Sequence, residues 1–290
     1  MDEQQILRKL DRIEEIPTLP TIVFELNKYL KDPDTSLKTV CETIEKDQAV
    51  ALKILKLVNS AFYGFKTKIS DLRNAIVLLG YNAVRNAIVS LSIINSFSKR
   101  VALVDFDISQ FWKHSLAVAV TSKNIAQLSK KESPDNCFVG GLLHDIGKVI
   151  LAQYFPDLFE KVWTTLQGTL QNENLSFYEA EQKKLSIDHT KIGAHLASKW
   201  QLPEGLLEAI RWHHEFQPQS KNANFVQNVY LANIIVNGYD VDPELRLEFS
   251  KIHPDVVKFM MDMMENVGDW YSGLTDEIEA AYGFFLETEG

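Results

Sequence analysis

Residues 140–151 read GGLLHDIGKVIL and set a histidine and an aspartate side by side in an otherwise apolar run. The apolar residues around His144 and Asp145 recur at helical spacing, which predicts that the pair lies on a buried helix. A charged carboxylate in apolar surroundings is unfavourable unless it is paired or bound to a cation. The dyad therefore indicates either a structural hydrogen bond between helices or a shared metal ion.

Further histidines favour the metal ion. His114 lies on the predicted helix before the dyad, and His189 opens the helix after it. His213 and His214 close the helix that follows. In an antiparallel array, inward-facing side chains of neighbouring helices can meet at one point. A carboxylate with several imidazoles suits iron, manganese, nickel or zinc. We therefore predict a centre for one or two divalent transition-metal ions.

The remaining two histidines are interpreted as structural or surface residues. His195 lies six residues after His189, which is about 120° round the same predicted helix. His253 precedes a proline in a polar turn.

Apolar residues recur at three- and four-residue spacing along most of the chain, which predicts an all-α fold of roughly a dozen helices. The composition changes near residues 98–107. We expect three segments: an N-terminal helical lobe over residues 1–100, a helical lobe with the His/Asp cluster over 101–240, and a C-terminal extension of two helices packed on the bundle over 241–290.

Composition and charge exclude several classes of protein. The chain has 30 Lys and Arg against 39 Asp and Glu, so clusters of cations that would hold a nucleic-acid backbone are not expected. No stretch approaches the roughly eighteen apolar residues of a membrane span, and the N-terminus lacks the apolar segment of a secretion signal. We expect a cytoplasmic protein without nucleic-acid or membrane partners. Cys41 and Cys137 are too few for a disulfide framework and are interpreted as buried filler.

The stretch NSAFYGF at residues 59–65 carries three aromatic side chains after a predicted helix. These residues are Phe62, Tyr63 and Phe65. They would either form an exposed patch for a partner or pack between the two lobes as a wedge, and we favour the wedge.

The order of the predicted ligands, a histidine, a His-Asp pair, a histidine and a His-His pair, resembles the HD superfamily of metal-dependent phosphohydrolases. The surrounding residues are similar to its HDOD branch, a group of bacterial signalling proteins. The similarity extends to the closing helices at residues 189–215, which read HTKIGAHLASKWQLPEGLLEAIRWHHE. It covers roughly residues 14–215 in all. The N-terminal similarity rests on Leu19-Pro20, Asp47, NSAF at 59–62 and the helix end at 75–80.

The resemblance implies an HD-like helical bundle in which a distal aspartate completes the metal site. Here Asn233 takes the place of that aspartate, and a neutral amide weakens cation binding. Gln110 takes the place of a glutamate used by the multi-metal HD-GYP branch, whose GYP loop is also absent. Hydrolysis of cyclic di-GMP is therefore not expected.

We predict a bacterial signal-transduction module of the HDOD type with a degenerate metal site, which acts mainly by binding a protein or ligand. A signalling protein is the expected partner, and a small phosphorylated ligand is the second. The alternative is a metal-dependent phosphohydrolase acting on a nucleotide or phosphodiester, with Asp145 and Lys148 as candidate catalytic residues. Lys148 would either steady a phosphate or form an ion pair. The full set of predicted metal ligands is His114, His144, Asp145, His189, His213, His214 and Asn233.

Overall fold

The computed structural model describes residues 2–29, 32, 34–97, 106–169, 175–241, 249–263 and 267–286. Within these residues all regular structure is helical, which confirms the all-α prediction, and seventeen α-helices are present rather than a dozen. Most of the composition break near residues 98–107 lies outside the described residues. The predicted segment boundaries remain predictions.

The helices before the composition break are α1 (Glu3–Arg12), α2 (Thr21–Tyr29), α3 (Leu37–Glu45), α4 (Gln48–Val58), α5 (Leu72–Leu79) and α6 (Tyr81–Phe97). Those of the predicted His/Asp lobe are α7 (Ile108–Ser129), α8 (Pro134–Leu143), α9 (Ile146–Tyr154), α10 (Pro156–Thr169), α11 (Phe177–Lys184), α12 (His189–Lys199), α13 (Glu204–Trp212) and α14 (Ala223–Val241). Those of the predicted extension are α15 (Pro254–Met263), α16 (Val267–Ser272) and α17 (Thr275–Phe285).

Two glycines that flank the His144–Asp145 dyad allow neighbouring helices to pack with their backbones in contact. A Cβ atom on Gly141 would lie 2.7 Å from the Cα atom of Ala119, so α8 packs directly on α7. A Cβ atom on Gly147 would lie 1.9 Å from the carbonyl oxygen of His189, so the start of α9 presses on the start of α12. Only glycine fits at such approaches. The turn that carries the dyad is thereby held between α7 and α12.

Helix α12 begins at a defined residue because Asp188 caps it. The Asp188 side chain accepts a hydrogen bond from the backbone N–H of Lys191 at 3.1 Å, which satisfies one of the free donors of the first turn. His189 is therefore the first residue of the helix. Pro203 is the N-cap residue of α13.

The aromatic residues at 59–65 divide between the two expected roles. Phe62 is buried, with its ring centroid 5.5 Å from that of Phe138 on α8 and 6.3 Å from that of Phe285 on α17. It joins three parts of the chain and confirms the wedge. Tyr63 is half-buried, whereas Phe65 is 39% exposed.

The C-terminal segment differs from the prediction of two helices, because the second is divided. The backbone N–H of Gly273 bonds to the carbonyl of Asp269 at 3.1 Å, and a turn at 273–274 separates α16 from α17. Apolar periodicity continues through this turn and therefore did not reveal it. Met260 on α15 is buried, whereas Met261 is 66% exposed. Met264 lies outside the described residues.

Among the described helices, none taken singly has both the length and the apolar composition needed to cross a membrane. Helices α5 and α6 pass that test only as a pair, and they are bent by 107° where they meet.

Candidate metal centre

The dyad occupies the turn between two helices rather than the single buried helix that was predicted. His144 follows the last residue of α8, and Asp145 precedes the first residue of α9. Both side chains are buried, at 0% and 2% exposure. The prediction was wrong in this detail because apolar spacing does not distinguish a continuous helix from two helices joined by a tight turn without proline.

Asp145 lies at the middle of the cluster, and its two carboxylate oxygens face different groups. Oδ1 lies 3.0 Å from Nε2 of His189 and 3.3 Å from Nε2 of His213. Oδ2 lies 2.6 Å from Nζ of Lys148 and 3.3 Å from Nε2 of His144. One carboxylate thus separates the centre into an Oδ1 side and an Oδ2 side.

On the Oδ1 side, backbone and side-chain acceptors fix the orientation of the rings. Nδ1 of His213 lies 2.8 Å from the carbonyl oxygen of Ile210, and Nδ1 of His189 lies 2.5 Å from Oε2 of Glu181. Engaging Nδ1 as a donor leaves Nε2 as the coordinating atom, an arrangement that proteins commonly use for metal-bound histidine. Both rings therefore present Nε2 towards Asp145.

Glu181 is a functional candidate that the sequence analysis missed. It is fully buried on α11, accepts the Nδ1 contact of His189, and accepts a hydrogen bond from the backbone N–H of the same residue at 3.0 Å. The sequence could have indicated Glu181 by its position, since it follows Ala180 and lies four residues after Phe177, on the apolar side of α11. A carboxylate at such a position needs a buried partner.

The donors on the Oδ1 side are spaced as ligands of one ion. Nε2 of His189 lies 3.2 Å from Nε2 of His213 and 3.2 Å from Nε2 of His214. A tetrahedron whose ligands lie about 2.0–2.1 Å from zinc has edges of roughly 3.3 Å. Oδ1 of Asp145 is also buried without a hydrogen bond to any described residue, so it retains acceptor capacity. These four residues fit a divalent transition-metal ion.

The Oδ2 side offers a weaker set of ligands. Nε2 of His114 lies 3.8 Å from Oδ2, and the side chain of Asn233 is close enough to raise the pKa of His114 against the effect of burial. The oxygen of that amide accepts a hydrogen bond from Nδ2 of Asn237 at 2.7 Å. His144 contributes Nε2, which is buried without a hydrogen bond within the described part of the chain. On this side Asn233 contributes no charge, and Oδ2 already pairs with Lys148.

Burial and neighbouring charges set the protonation of the rings. Burial lowers the pKa of His213 to about 3, and burial together with His144 lowers the pKa of His114 to about 3. Burial also places the pKa of His214 well below its usual value. Burial acts in the same direction on His189, but the carboxylates of Glu181 and Asp145 outweigh it and raise its pKa to about 9. Three rings are therefore neutral at pH 7, the form that binds metals.

The Asp145 carboxyl stays ionised although it is buried. Burial acts to raise its pKa, but the charges of His144 and Lys148 outweigh burial and hold the pKa well below its usual value. An ionised carboxylate beside the neutral imidazoles of His213 and His214 is a competent ligand for a divalent cation.

The structure brings six of the predicted ligands and Lys148 together around Asp145, and the seventh, Asn233, lies beside His114. Two groups of residues share Asp145, and within each group the donor atoms lie within 4.8 Å of one another. The first consists of Asp145, His189, His213 and His214, and the second of His114, His144 and Asp145. The histidines set aside lie elsewhere, since His195 pairs with Asp11 at 2.7 Å and His253 contacts Asp255 at 3.8 Å.

Comparison with known proteins agrees with the all-helical fold. The model of the HDOD domain family matches residues 16–216, and the chain belongs to this family. Its structure is similar to that of an HDOD domain protein from Geobacter sulfurreducens, with a TM-score of 0.78 and 27% identity over 98% of this chain and 100% of that one.

Two curated relatives are uncharacterised proteins. One, from Treponema pallidum, is 25% identical over 253 residues, which are 84% of this chain and 48% of the relative. The other, YuxH from Bacillus subtilis, is 27% identical over 202 residues, which are 66% of this chain and 47% of the relative. The chain thus spans about half the length of the curated relatives that it matches.

Proposed function

We propose that this chain is a signalling module of the HDOD type that works by binding, with a centre for one metal ion held by Asp145, His189, His213 and His214. Family membership and the spacing of these four donors support the proposal. The bound ion would hold α9, α12 and the end of α13 together and so stabilise one arrangement of the cleft. A signalling protein is the proposed partner.

The observation that carries the proposal is the ion pair between Lys148 and Asp145. The Lys148 ammonium lies 2.6 Å from Oδ2, the oxygen that a second ion between His114 and His144 would need. It supplies a tethered positive charge on that side, and Asn233 supplies no negative charge to offset another cation. The centre therefore favours one ion on the Oδ1 side over the pair of ions that two-metal hydrolases use.

The cleft also has features that suit a small phosphorylated ligand. The side chains of His114 and Lys148 are each 20% exposed, so they reach the edge of an otherwise buried cluster. Lys148 pairs with Asp145 and is still able to meet a phosphate, because an ammonium has three donors. Such a ligand would be the input that this module senses.

The second candidate is a metal-dependent phosphohydrolase acting on a nucleotide or phosphodiester. The complete set of ligands on the Oδ1 side favours it, since a bound divalent ion supplies an activated water molecule. In this case Asp145 would hold the ion and Lys148 would orient the phosphate. The neutral Asn233 and the paired Oδ2 atom make this the less favoured candidate.

Metal analysis together with an activity screen tests the proposal. Protein purified without added metal is analysed for metal content and then assayed with bis-p-nitrophenyl phosphate, cyclic dinucleotides and nucleoside triphosphates. We expect bound metal without turnover. The matched variants are Asp145→Asn, which should lose the metal, and His195→Ala, which lies outside the centre and should keep it. Turnover that Asp145→Asn abolishes and His195→Ala retains would establish the hydrolase instead.

A further inference from the structure

Exposed apolar side chains are concentrated in one region of the molecule. Seven large apolar residues are exposed among the described residues, and four of them lie between residues 52 and 78. Leu52 on α4 is 55% exposed, Val77 and Leu78 on α5 are 63% and 52% exposed, and Phe65 between the helices is 39% exposed. Neighbouring exposed apolar residues of this size are typical of interaction surfaces.

The fold brings the ends of α4 and α5 together. Asn59, just after α4, donates a hydrogen bond to the carbonyl of Ile69 and accepts one from its N–H, at 2.7 and 2.8 Å. Both helices therefore leave the same corner, and they pack on each other. Leu52 lies six residues before the end of α4, and Leu78 lies six residues after the start of α5. Each is therefore about 9 Å from the corner along its helix axis. Packed helices lie about 8–10 Å apart, so the two leucines lie on adjacent helices at similar distances from the corner.

The same surface is positively charged in an acidic protein. Residues 48–79 contain five cationic residues and one acidic residue, whereas the whole chain has a formal net charge of -9. Lys56 lies one turn after Leu52, and Arg73 lies one turn before Val77, so Leu52 and Val77 each share a helix face with a cation. Lys53, Lys56, Lys66, Lys68 and Arg73 form no ion pair with any described residue.

We propose that this α4–α5 surface docks an acidic helical segment of a signalling partner, with leucine-type side chains on one face and carboxylates beside them. The inference rests on the proposed binding function and names the surface that serves it. Unpaired cations around an apolar centre favour a partner with carboxylates around apolar anchors. Leu52, Val77 and Leu78 contact the anchors, while Lys56 and Arg73 meet the carboxylates.

Charge also argues against two other occupants. In a symmetric pair of copies each surface would face itself, so the cations would repel one another. An anionic membrane would attract this surface but repel the rest of a chain whose net charge is -9. An acidic partner segment meets neither obstacle.

Peptide binding tests the proposal. A fluorescein-labelled synthetic helix with leucine on one face and glutamate elsewhere is titrated with the full chain, beside a counterpart with lysine for every glutamate. We expect the glutamate peptide to bind at least about tenfold more tightly, with affinity falling as salt increases. Leu78→Ser and Arg73→Glu should each weaken binding about tenfold. Met261→Ser and Lys161→Glu, exposed residues outside the surface, should not.

Several outcomes would overturn the inference. The glutamate peptide would fail to bind, or the lysine peptide would bind equally well. Alternatively, Leu78→Ser and Arg73→Glu would bind the glutamate peptide as the wild type does, although melting curves show that both variants are folded. Binding to phosphatidylglycerol vesicles that the two variants abolish would assign the surface to a membrane. A dimer in light scattering that they abolish would assign it to a second copy. Leu78→Ser and Arg73→Glu, which lie outside the metal centre, should bind as much metal as the wild type, so failure of the metal centre is distinguishable from failure of this surface.

Discussion

Glu181 holds His189 by two contacts, one to the ring and one to the backbone. Oε2 lies 2.5 Å from Nδ1 of His189, and Oε1 accepts a hydrogen bond from its backbone N–H at 3.0 Å. The carboxylate thereby fixes both the ring orientation and the start of α12. The chain places a negative charge behind one ligand of the proposed centre, where it raises the basicity of that ligand.

Replacing this carboxylate should weaken metal binding while the fold is retained. Glu181→Gln keeps an oxygen for one of the two His189 contacts, loses the other acceptor and removes the charge, so zinc or manganese affinity should fall by about tenfold to a hundredfold. Isothermal titration measures the change, and Glu279→Gln, an exposed residue on α17, is the control. Equal affinities in the two variants would show that Glu181 is only structural.

Restoring an aspartate at position 233 should strengthen the Oδ2 side. Asn233→Asp adds a negative charge beside His114 with little change in size, so we expect a second ion to bind, with affinity at least about tenfold above that of the wild type. Without metal, the new carboxylate adds repulsion with Asp145 and should lower the melting temperature. Titration and thermal unfolding are the two measurements. No change in either would place Asn233 outside the centre.

Acid should destabilise the metal-free protein. The pKa of His114 and of His213 is lowered to about 3 by burial. Unfolded histidines bind protons below about pH 6.5, whereas these folded ones remain neutral. The unfolded state therefore binds more protons, and the free energy of unfolding falls as pH decreases from about 6.5 towards 3. Denaturant titrations from pH 7 to about 4 measure the slope.

His189 should act in the opposite direction on the alkaline side. Its folded pKa is raised to about 9, so its contribution to stability is complete below about pH 6.5 and is lost as pH rises through 9. His213→Gln should flatten the acid slope, and His189→Gln should flatten the alkaline one. His195→Gln, outside the centre, should leave both unchanged. Slopes that all three variants share would show that other groups are responsible.

Any side chain at residue 147 should separate α9 from α12. The Cβ atom of Gly147→Ala would lie 1.9 Å from the carbonyl oxygen of His189, and backbone cannot move aside as a flexible side chain does. We expect a loss of about 1–3 kcal/mol in unfolding free energy, together with weaker metal binding. Gly273→Ala is the matched control, since its nearest contact would be 3.3 Å. Equal stability of the two variants would contradict the close packing.

The sequence predicted the helical class and the residues of the centre, but parts of both were not predictable. Histidines on successive helices are visible as a pattern, because each lies on an inward face. The turn between His144 and Asp145 and the break at Gly273 interrupt no apolar spacing, so periodicity missed both. Glu181 was missed because its partner, His189, is brought close only by the turn of the chain between the end of α11 and the start of α12.

The roles of the two sides of Asp145 also required the structure. The sequence showed that Asn233 replaces the distal aspartate of the family and that Lys148 is a candidate catalytic residue. Their effects depend on distances, since Lys148 reaches Oδ2 at 2.6 Å and leaves Oδ1 facing His189 and His213. This division is what favours a centre for one ion.

Native mass spectrometry of the zinc-loaded chain tests that central claim most directly, with His213→Ala and His114→Ala as the matched pair. We predict one ion per wild-type chain, one ion in His114→Ala, and none in His213→Ala, because only His213 belongs to the Oδ1 side. Two ions in the wild type, or loss of the ion in His114→Ala with retention in His213→Ala, would contradict the account.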